Sequence, residues 1–153
     1  MRLSPFFTTP RPYKKAIATD PQRHIVYSLE REMIGTVIHT HCKREHLEAV
    51  IKHACRKYGI SQPEFKIVYK KQRIFGWCYD NDGIWLNAAF HGDNLHTLLH
   101  ELGHWITDKI HDKNLPDHSP EFVKIYAELL DAYKLIPLDA FRVVAKRWGL
   151  KIA

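Results

Sequence analysis

The chain has few cysteines and no long hydrophobic run, and both absences narrow what it can be. Its 153 residues include three widely spaced cysteines that form no Cys-x-x-Cys pair, namely Cys42, Cys55 and Cys78. This usage argues against a disulfide framework or a zinc ribbon, and we interpret all three as structural thiols. No apolar stretch approaches the roughly 20 residues that cross a bilayer, and residues 1–12 lack the apolar core of a signal peptide. We therefore expect a cytoplasmic protein with no membrane partner.

The composition is that of a folded domain with a basic surface. Apolar residues make up 45% of the chain and charged residues 26%, which is typical of a soluble globular protein. The formal net charge of +6 favours nucleic acid or another acidic partner. The basic residues are scattered, however, and no known nucleic-acid-binding signature accompanies them. A nucleic-acid partner and an ordinary solvated surface both stay open, and we expect a monomer.

Proline spacing and hydrophobic periodicity separate an N-terminal arm from one domain. Residues 1–19 contain three prolines and no sustained periodicity, which predicts an extended arm. Asp20 and Pro21 then predict the N-cap and first position of a helix. A second helix is predicted over about residues 43–58, because apolar residues recur there at helical spacing and Gly59 follows.

The middle of the chain changes to the two-residue period of strands. Phe65 to Tyr69 alternate between apolar and polar residues, which predicts a half-buried strand. Residues 74–79 and 84–87 favour strands as well, and the segment 80–83 between them, Asp-Asn-Asp-Gly, is a strong turn signal. A β-hairpin is therefore predicted directly before the next helix.

The most informative segment of the chain is His100-Glu101-Leu102-Gly103-His104, inside a helix predicted over about residues 95–109. Histidines four residues apart lie on one face of a helix, about one turn apart, so both imidazoles can reach a single Zn²⁺. Glu101 faces the space beside the metal, where it can take a proton from a water that attacks a carbonyl. This is the HExxH signature of the zincins, and it predicts metal-assisted hydrolysis.

The same helix makes two structural predictions. Its apolar residues are predicted to face the core, while His100, Glu101, His104 and Asp108 share the other side. Gly103 costs about 1 kcal/mol relative to alanine in a helix interior. We expect another backbone, that of the sheet, to approach closely at this glycine.

A third metal ligand has to come from another segment. His96 and Asp108 extend the stripe of the motif. Each lies eight residues from one of the two motif histidines, and eight residues of helix cover about 12 Å, which is too far for either residue to share one ion with both histidines. His111 lies just past the helix and would have to return through a tight turn.

His118 is better placed than these candidates. Residues 110–117 form a polar connection long enough to reverse the chain. Ser119 and Pro120 predict the start of a further helix directly after His118. Glu121 and Glu128 of that helix are the alternative ligands, because gluzincins take a glutamate from the helix that follows the motif helix.

The order of these segments resembles the SprT-like, or Spartan-type, metalloprotease domain. The resemblance covers about residues 43–134 and rests on the hairpin, the HExxH motif and His118-Ser119-Pro120-Glu121-Phe122, which is similar to the HGxxF-like segment of that family. Ser119 replaces the usual glycine, and Trp105 stands where the family often has alanine. The motif itself also resembles the ImmA/IrrE peptidases, which are the nearest alternative.

The resemblance implies a fold class and a function. It implies that residues 20–153 are a single zincin-like metalloprotease domain of the α+β class. A small mixed sheet with a hairpin would then pack against an N-terminal helix, the HExxH helix and C-terminal helices. It also implies that His118 is the third ligand, beside His100 and His104, of one zinc ion, and that the substrate is a protein or peptide. Glu101 would act as general base and then as acid.

Several functional details stay open on the sequence alone. The strand at 74–79 is predicted as an edge against which a peptide pairs, with Trp77 and Tyr79 lining the cleft, although core packing explains these aromatic residues equally well. Tyr126 is a candidate oxyanion donor, with a core role as its alternative. A zinc protein that associates with nucleic acid without protease activity, and a zinc hydrolase for a non-peptide bond, are the competing functions.

Overall fold

The computed structural model describes the backbone of Arg2–Leu3 and residues 20–35, 40–79, 83–111 and 114–153. Most of the predicted arm at 1–19 and the predicted turn residues 80–82 lie outside this part of the chain. The fold is α+β, as the sequence predicts. The α-helices in these ranges are α1 (Arg23–Met33), α2 (Arg44–Tyr58), α3 (Leu95–Ile110), α4 (Pro120–Ala132) and α5 (Leu138–Trp148). None of the helices in the described ranges is long and apolar enough to span a membrane.

The sheet is small and mixed. Its strands are β1 (Arg2–Leu3), β2 (Glu64–Val68), β3 (Gly76–Tyr79) and β4 (Gly83–Asn87), in the spatial order β1-β3-β4-β2. Strands β3 and β4 form the antiparallel hairpin that the sequence predicts, with Trp77 opposite Trp85. Strand β2 pairs with β4 in parallel, and β1 pairs with β3 in antiparallel orientation. The hairpin therefore lies inside the sheet.

Helix ends follow the local sequence signals with one exception. Gly59 ends α2 in the left-handed region at φ 64°. The side chains of Asn94 and Ser119 cap α3 and α4 by accepting hydrogen bonds from backbone N–H groups. The prediction that Asp20 caps α1 is wrong. The helix begins at Arg23, and Asp20 uses its carboxylate elsewhere.

Helix α3 lies at the centre of the domain. Every residue from His96 to Asp108 is buried, so the prediction that only its apolar side faces the core is wrong. The sheet covers one side, and α4 covers the side that carries the motif. A Cβ at Gly103 would lie 3.0 Å from the ring of Phe122 on α4, so this helix, and not the sheet backbone, is the close neighbour.

Two of the three cysteines are buried. Cys55 and Cys78 lie in the core, and Cys42 is half-buried. Burial raises the pKa of the Cys55 thiol to about 11, which leaves it protonated near neutral pH. That all three are structural thiols stays a prediction.

Candidate metal centre

Three buried histidines bring one nitrogen each to a common point. The Nε2 atom of His100 lies 3.2 Å from Nε2 of His104 and 3.3 Å from Nε2 of His118. The first two residues come from adjacent turns of α3, and His118 comes from the loop before α4. Among the described residues, this is the group of histidine, cysteine and carboxylate side chains that can hold a metal ion.

The spacing of these nitrogens suits a tetrahedral ion. Two nitrogens at the usual Zn–N distance, seen from the metal at a tetrahedral angle, lie roughly 3.3–3.4 Å apart. The observed separations of 3.2 and 3.3 Å match that value. The residues present therefore fit a zinc ion in which His100, His104 and His118 supply three of four positions.

Hydrogen bonds on the far side of the rings give the same conclusion. Nδ1 of His100 lies 2.6 Å from Oε1 of Glu30, and Nδ1 of His118 lies 2.7 Å from Oδ2 of Asp20. An ionised carboxylate only accepts, so each Nδ1 carries the hydrogen and each Nε2 presents a lone pair. Two lone pairs that face each other at 3.3 Å repel unless a cation lies between them. The donor set is thus arranged for a metal.

His118 is held at its backbone as well as at its ring. Asp20 Oδ1 accepts a hydrogen bond from the backbone N–H of His118, and Gln22 Nε2 donates to its carbonyl oxygen. Two effects oppose each other at Asp20. Burial alone would raise the pKa of its carboxyl, but the contacts with His118 outweigh burial and hold the pKa below its ordinary value. Burial lowers the pKa of His118 to about 4, although Asp20 opposes this shift. The ring is therefore neutral near neutral pH, as a metal ligand has to be.

Glu101 lies on α3 beside the ligands and is fully buried. The exposed fractions of His100, Glu101 and His104 are 0%, and that of His118 is 2%. The ring of Tyr27 packs edge-on against His118, with 5.2 Å between the ring centroids, and helps to cover the site. The three histidines and Glu101 are therefore buried together in this conformation.

The competing ligands lie elsewhere. Glu128 accepts a hydrogen bond from the hydroxyl of Tyr58, and neither it nor Glu121 joins the histidine cluster. His111 is exposed at the end of α3. His96, one turn before His100, is hydrogen-bonded to Tyr126.

The aromatic residues predicted for the substrate cleft lie on β3. Trp77 is 2% exposed and packs with Ile74 in a small cluster, so it offers no surface to a substrate in this conformation. The side chain of Tyr79 is outside the described part of the chain. The outer edge of β3 is paired with β1 at Trp77 and Cys78, so β3 is not the free edge that the sequence predicts. Tyr126 has the core role, because its hydroxyl is bonded to Glu30 and His96.

Sequence reasoning missed two residues that hold the ligands. Asp20 before Pro21 resembles an ordinary helix cap, so its sequence carries no distinguishing signal. Glu30 does have a recognisable sequence signal, because it lies beside Leu29 and one turn after Val26 on the buried side of α1. A carboxylate on an apolar helix face requires a polar or charged partner.

No protein-family model matches the chain, and no curated protein or solved structure is significantly similar to it.

Proposed function

We propose that the chain is a zinc-dependent metallopeptidase that hydrolyses peptide bonds. One observation carries the proposal. Nε2 of His100 lies at distances suited to a tetrahedral ion from Nε2 of both His104 and His118, and a glutamate follows His100 on the same helix. A purely structural metal site has no need of that glutamate.

The chain's own residues divide the chemistry between them. His100, His104 and His118 would hold a zinc ion through Nε2. A bound zinc ion supplies a Lewis acid that polarises a carbonyl and lowers the pKa of water. Glu101 accepts the proton of the attacking water and passes it to the leaving amine.

The nature of the third donor supports the SprT-like assignment over a gluzincin arrangement. The donor is a histidine from the loop before α4, one residue ahead of the capping Ser119. That is the position which the resemblance to the SprT-like family implies. An ImmA/IrrE-like regulatory peptidase is the alternative assignment. A cytoplasmic location and a monomeric state stay predictions.

The test combines metal analysis with a cleavage assay on casein. Wild-type protein and Glu101→Gln should both retain about one zinc ion, whereas Glu101→Gln should lose proteolysis by a factor of at least about 10². His118→Ala should lose the metal as well as the activity. Glu128→Gln on α4 is the matched control, because its carboxylate bonds Tyr58 away from the centre, and it should cleave as wild type does.

Three results would contradict the proposal. Equal cleavage by wild type and Glu101→Gln would remove the proposed base. Wild-type protein without bound zinc would remove the metal centre. Zinc bound without cleavage of any protein or peptide would favour a hydrolase for another bond.

A second candidate function, nucleic-acid binding, has one surface in its favour. On the face of the sheet that points away from α3, Lys66 and Lys70 lie over the ring of the half-buried Trp85, at 4.9 and 5.2 Å from its centroid. Proteins that bind single-stranded nucleic acid use basic groups beside aromatic rings, which contact the phosphates and stack on the bases. A salt-dependent shift with single-stranded DNA that Lys66→Glu abolishes, and Lys52→Glu on α2 does not, would support it. Absence of binding at low salt would discard it.

A further inference from the structure

A buried hydrogen-bonded chain lies behind the metal centre. Oε1 of Glu30 accepts from Nδ1 of His100 at 2.6 Å and from the hydroxyl of Tyr126 at 2.8 Å. The Tyr126 oxygen lies in turn 2.7 Å from Nε2 of His96, which is itself 3.4 Å from the same Glu30 oxygen. These hydrogen bonds link α1, α3 and α4. Beyond His100 they involve Glu30, Tyr126 and His96, none of which is a proposed metal ligand.

We propose that Glu30 is a positioning residue for the metal centre, and that Tyr126 and His96 hold its carboxylate in place. The proposal rests on the metal site of the proposed function, and it adds that α1 and α4 set how tightly the centre binds its ion.

The position of His100 in the cluster makes Glu30 important. Nε2 of His100 lies 3.2 Å from Nε2 of His104 and 3.3 Å from Nε2 of His118. A rotation of the His100 ring therefore changes both distances. Glu30 fixes the ring at Nδ1, opposite the metal. Partners of this kind orient the ligand, select its tautomer and raise its basicity.

The burial of Glu30 is suited to the same role. The residue is 1% exposed, and Oε2 has no hydrogen-bond partner among the described residues, so its contacts converge on Oε1. His100 and Tyr126 therefore hold the carboxylate at one oxygen, one imidazole away from the candidate metal site.

The first measurement is zinc affinity, by competition with a chromophoric chelator near neutral pH. Glu30→Gln keeps the size of the side chain and removes its charge, and we expect affinity to fall about 10–100-fold. Glu32→Gln is the matched control on the same helix, since that carboxylate is bonded to Trp148 at the surface. It should bind zinc as wild type does.

A second readout separates positioning from general destabilisation. Cobalt-substituted wild type should show the visible absorption of a tetrahedral ion, and folded Glu30→Gln should show altered bands. Proteolysis by Glu30→Gln should recover in excess zinc, whereas that of Glu101→Gln should not. Tyr126→Phe removes one hydroxyl and keeps the ring, and we expect a loss of zinc affinity of a few-fold.

The outcomes distinguish this inference from the proposed function. If wild type binds no zinc, the metal site itself fails. If wild type binds zinc and Glu30→Gln binds it equally with an unchanged cobalt spectrum, only the positioning role is overturned. If Glu30→Gln does not fold, Tyr126→Phe decides, and wild-type affinity and spectrum in that variant would contradict the proposal.

Discussion

The candidate metal centre has an inner and an outer half, and the two are held by different means. In the inner half, Glu30 is fully buried and holds the ring of His100 together with Tyr126. In the outer half, Asp20 is 18% exposed at its side chain and holds both the ring and the backbone of His118. The inner carboxylate thus belongs to a side-chain network within the core, whereas the outer one is part of a loop clamp near the surface.

The difference follows from where each ligand comes from. His100 lies inside a helix, whose backbone is already fixed, so only its ring has to be oriented. His118 lies on a loop, and its backbone has to be fixed as well before its ring can point at the ion. The comparison predicts that the inner half contributes more to stability and that the outer half is the more tolerant of change.

The largest expected effect is that of removing each carboxylate. Glu30→Ala leaves the buried donors of His100 and Tyr126 without their acceptor, and we expect a loss of about 3–5 kcal/mol in the free energy of unfolding. Asp20→Ala should cost about 1–2 kcal/mol, because water can replace part of the contact. Chemical denaturation of both variants measures the two values. Equal losses would contradict the division into two halves.

On the outer side of the centre, the stability of the metal-free protein is expected to depend on pH through His118. In metal-free protein the pKa of His118 falls from an ordinary 6.5 to about 4, because burial disfavours the charged ring. Above 6.5 both the folded and unfolded forms are neutral at this residue, and stability is full. Between 6.5 and about 4 the unfolded chain takes up the proton first, so stability falls by up to about 3 kcal/mol. Denaturation of metal-free wild type across this range should show the decline, and His118→Gln should flatten it.

The loop clamp can be weakened without touching a ligand or a charge. Gln22→Ala removes the donor to the carbonyl of His118 and the partner of both backbone groups of Lys151. We expect a loss of about 1–2 kcal/mol in unfolding free energy, with zinc affinity reduced as well. The control is Gln62→Ala, an exposed position before β2. Unchanged zinc affinity in Gln22→Ala would show that the clamp does not act on the ligand.

The smallest effect is expected within α3. Gly103→Ala gains about 1 kcal/mol of helix propensity, but its Cβ would lie 3.0 Å from the Phe122 ring. That ring stacks on His104 with 4.3 Å between centroids, so a shift of Phe122 reaches a ligand of the metal. We expect stability to change by less than about 1 kcal/mol and zinc affinity to fall slightly. A more stable variant with unchanged zinc affinity would show that Phe122 moves freely.

The motif, the hairpin and the position of His118 could be predicted because each leaves a local pattern. Two histidines four residues apart require only a helix, and Ser119 with Pro120 marks the start of the next one. The remainder depends on contacts between segments far apart in the chain. Asp20 resembles a helix cap in the sequence because a carboxylate that caps a helix and one that holds His118 have the same local pattern. Sequence does not show which element packs against a given side of a helix, so it cannot identify Phe122 on α4 as the neighbour of Gly103.

The clamp on His118 also has a consequence for the order of folding. His100 and His104 are in place as soon as α3 forms, because four residues of helix separate them. His118 reaches them only when Asp20 and Gln22, 98 and 96 residues away, have closed on it, and Gln22 is itself bonded to Lys151, 129 residues distant. Contacts of such long sequence separation form late in folding. His118 is thus in position only when both ends of the domain have come together. An ion that needs all three histidines would therefore bind tightly only to the fully folded protein.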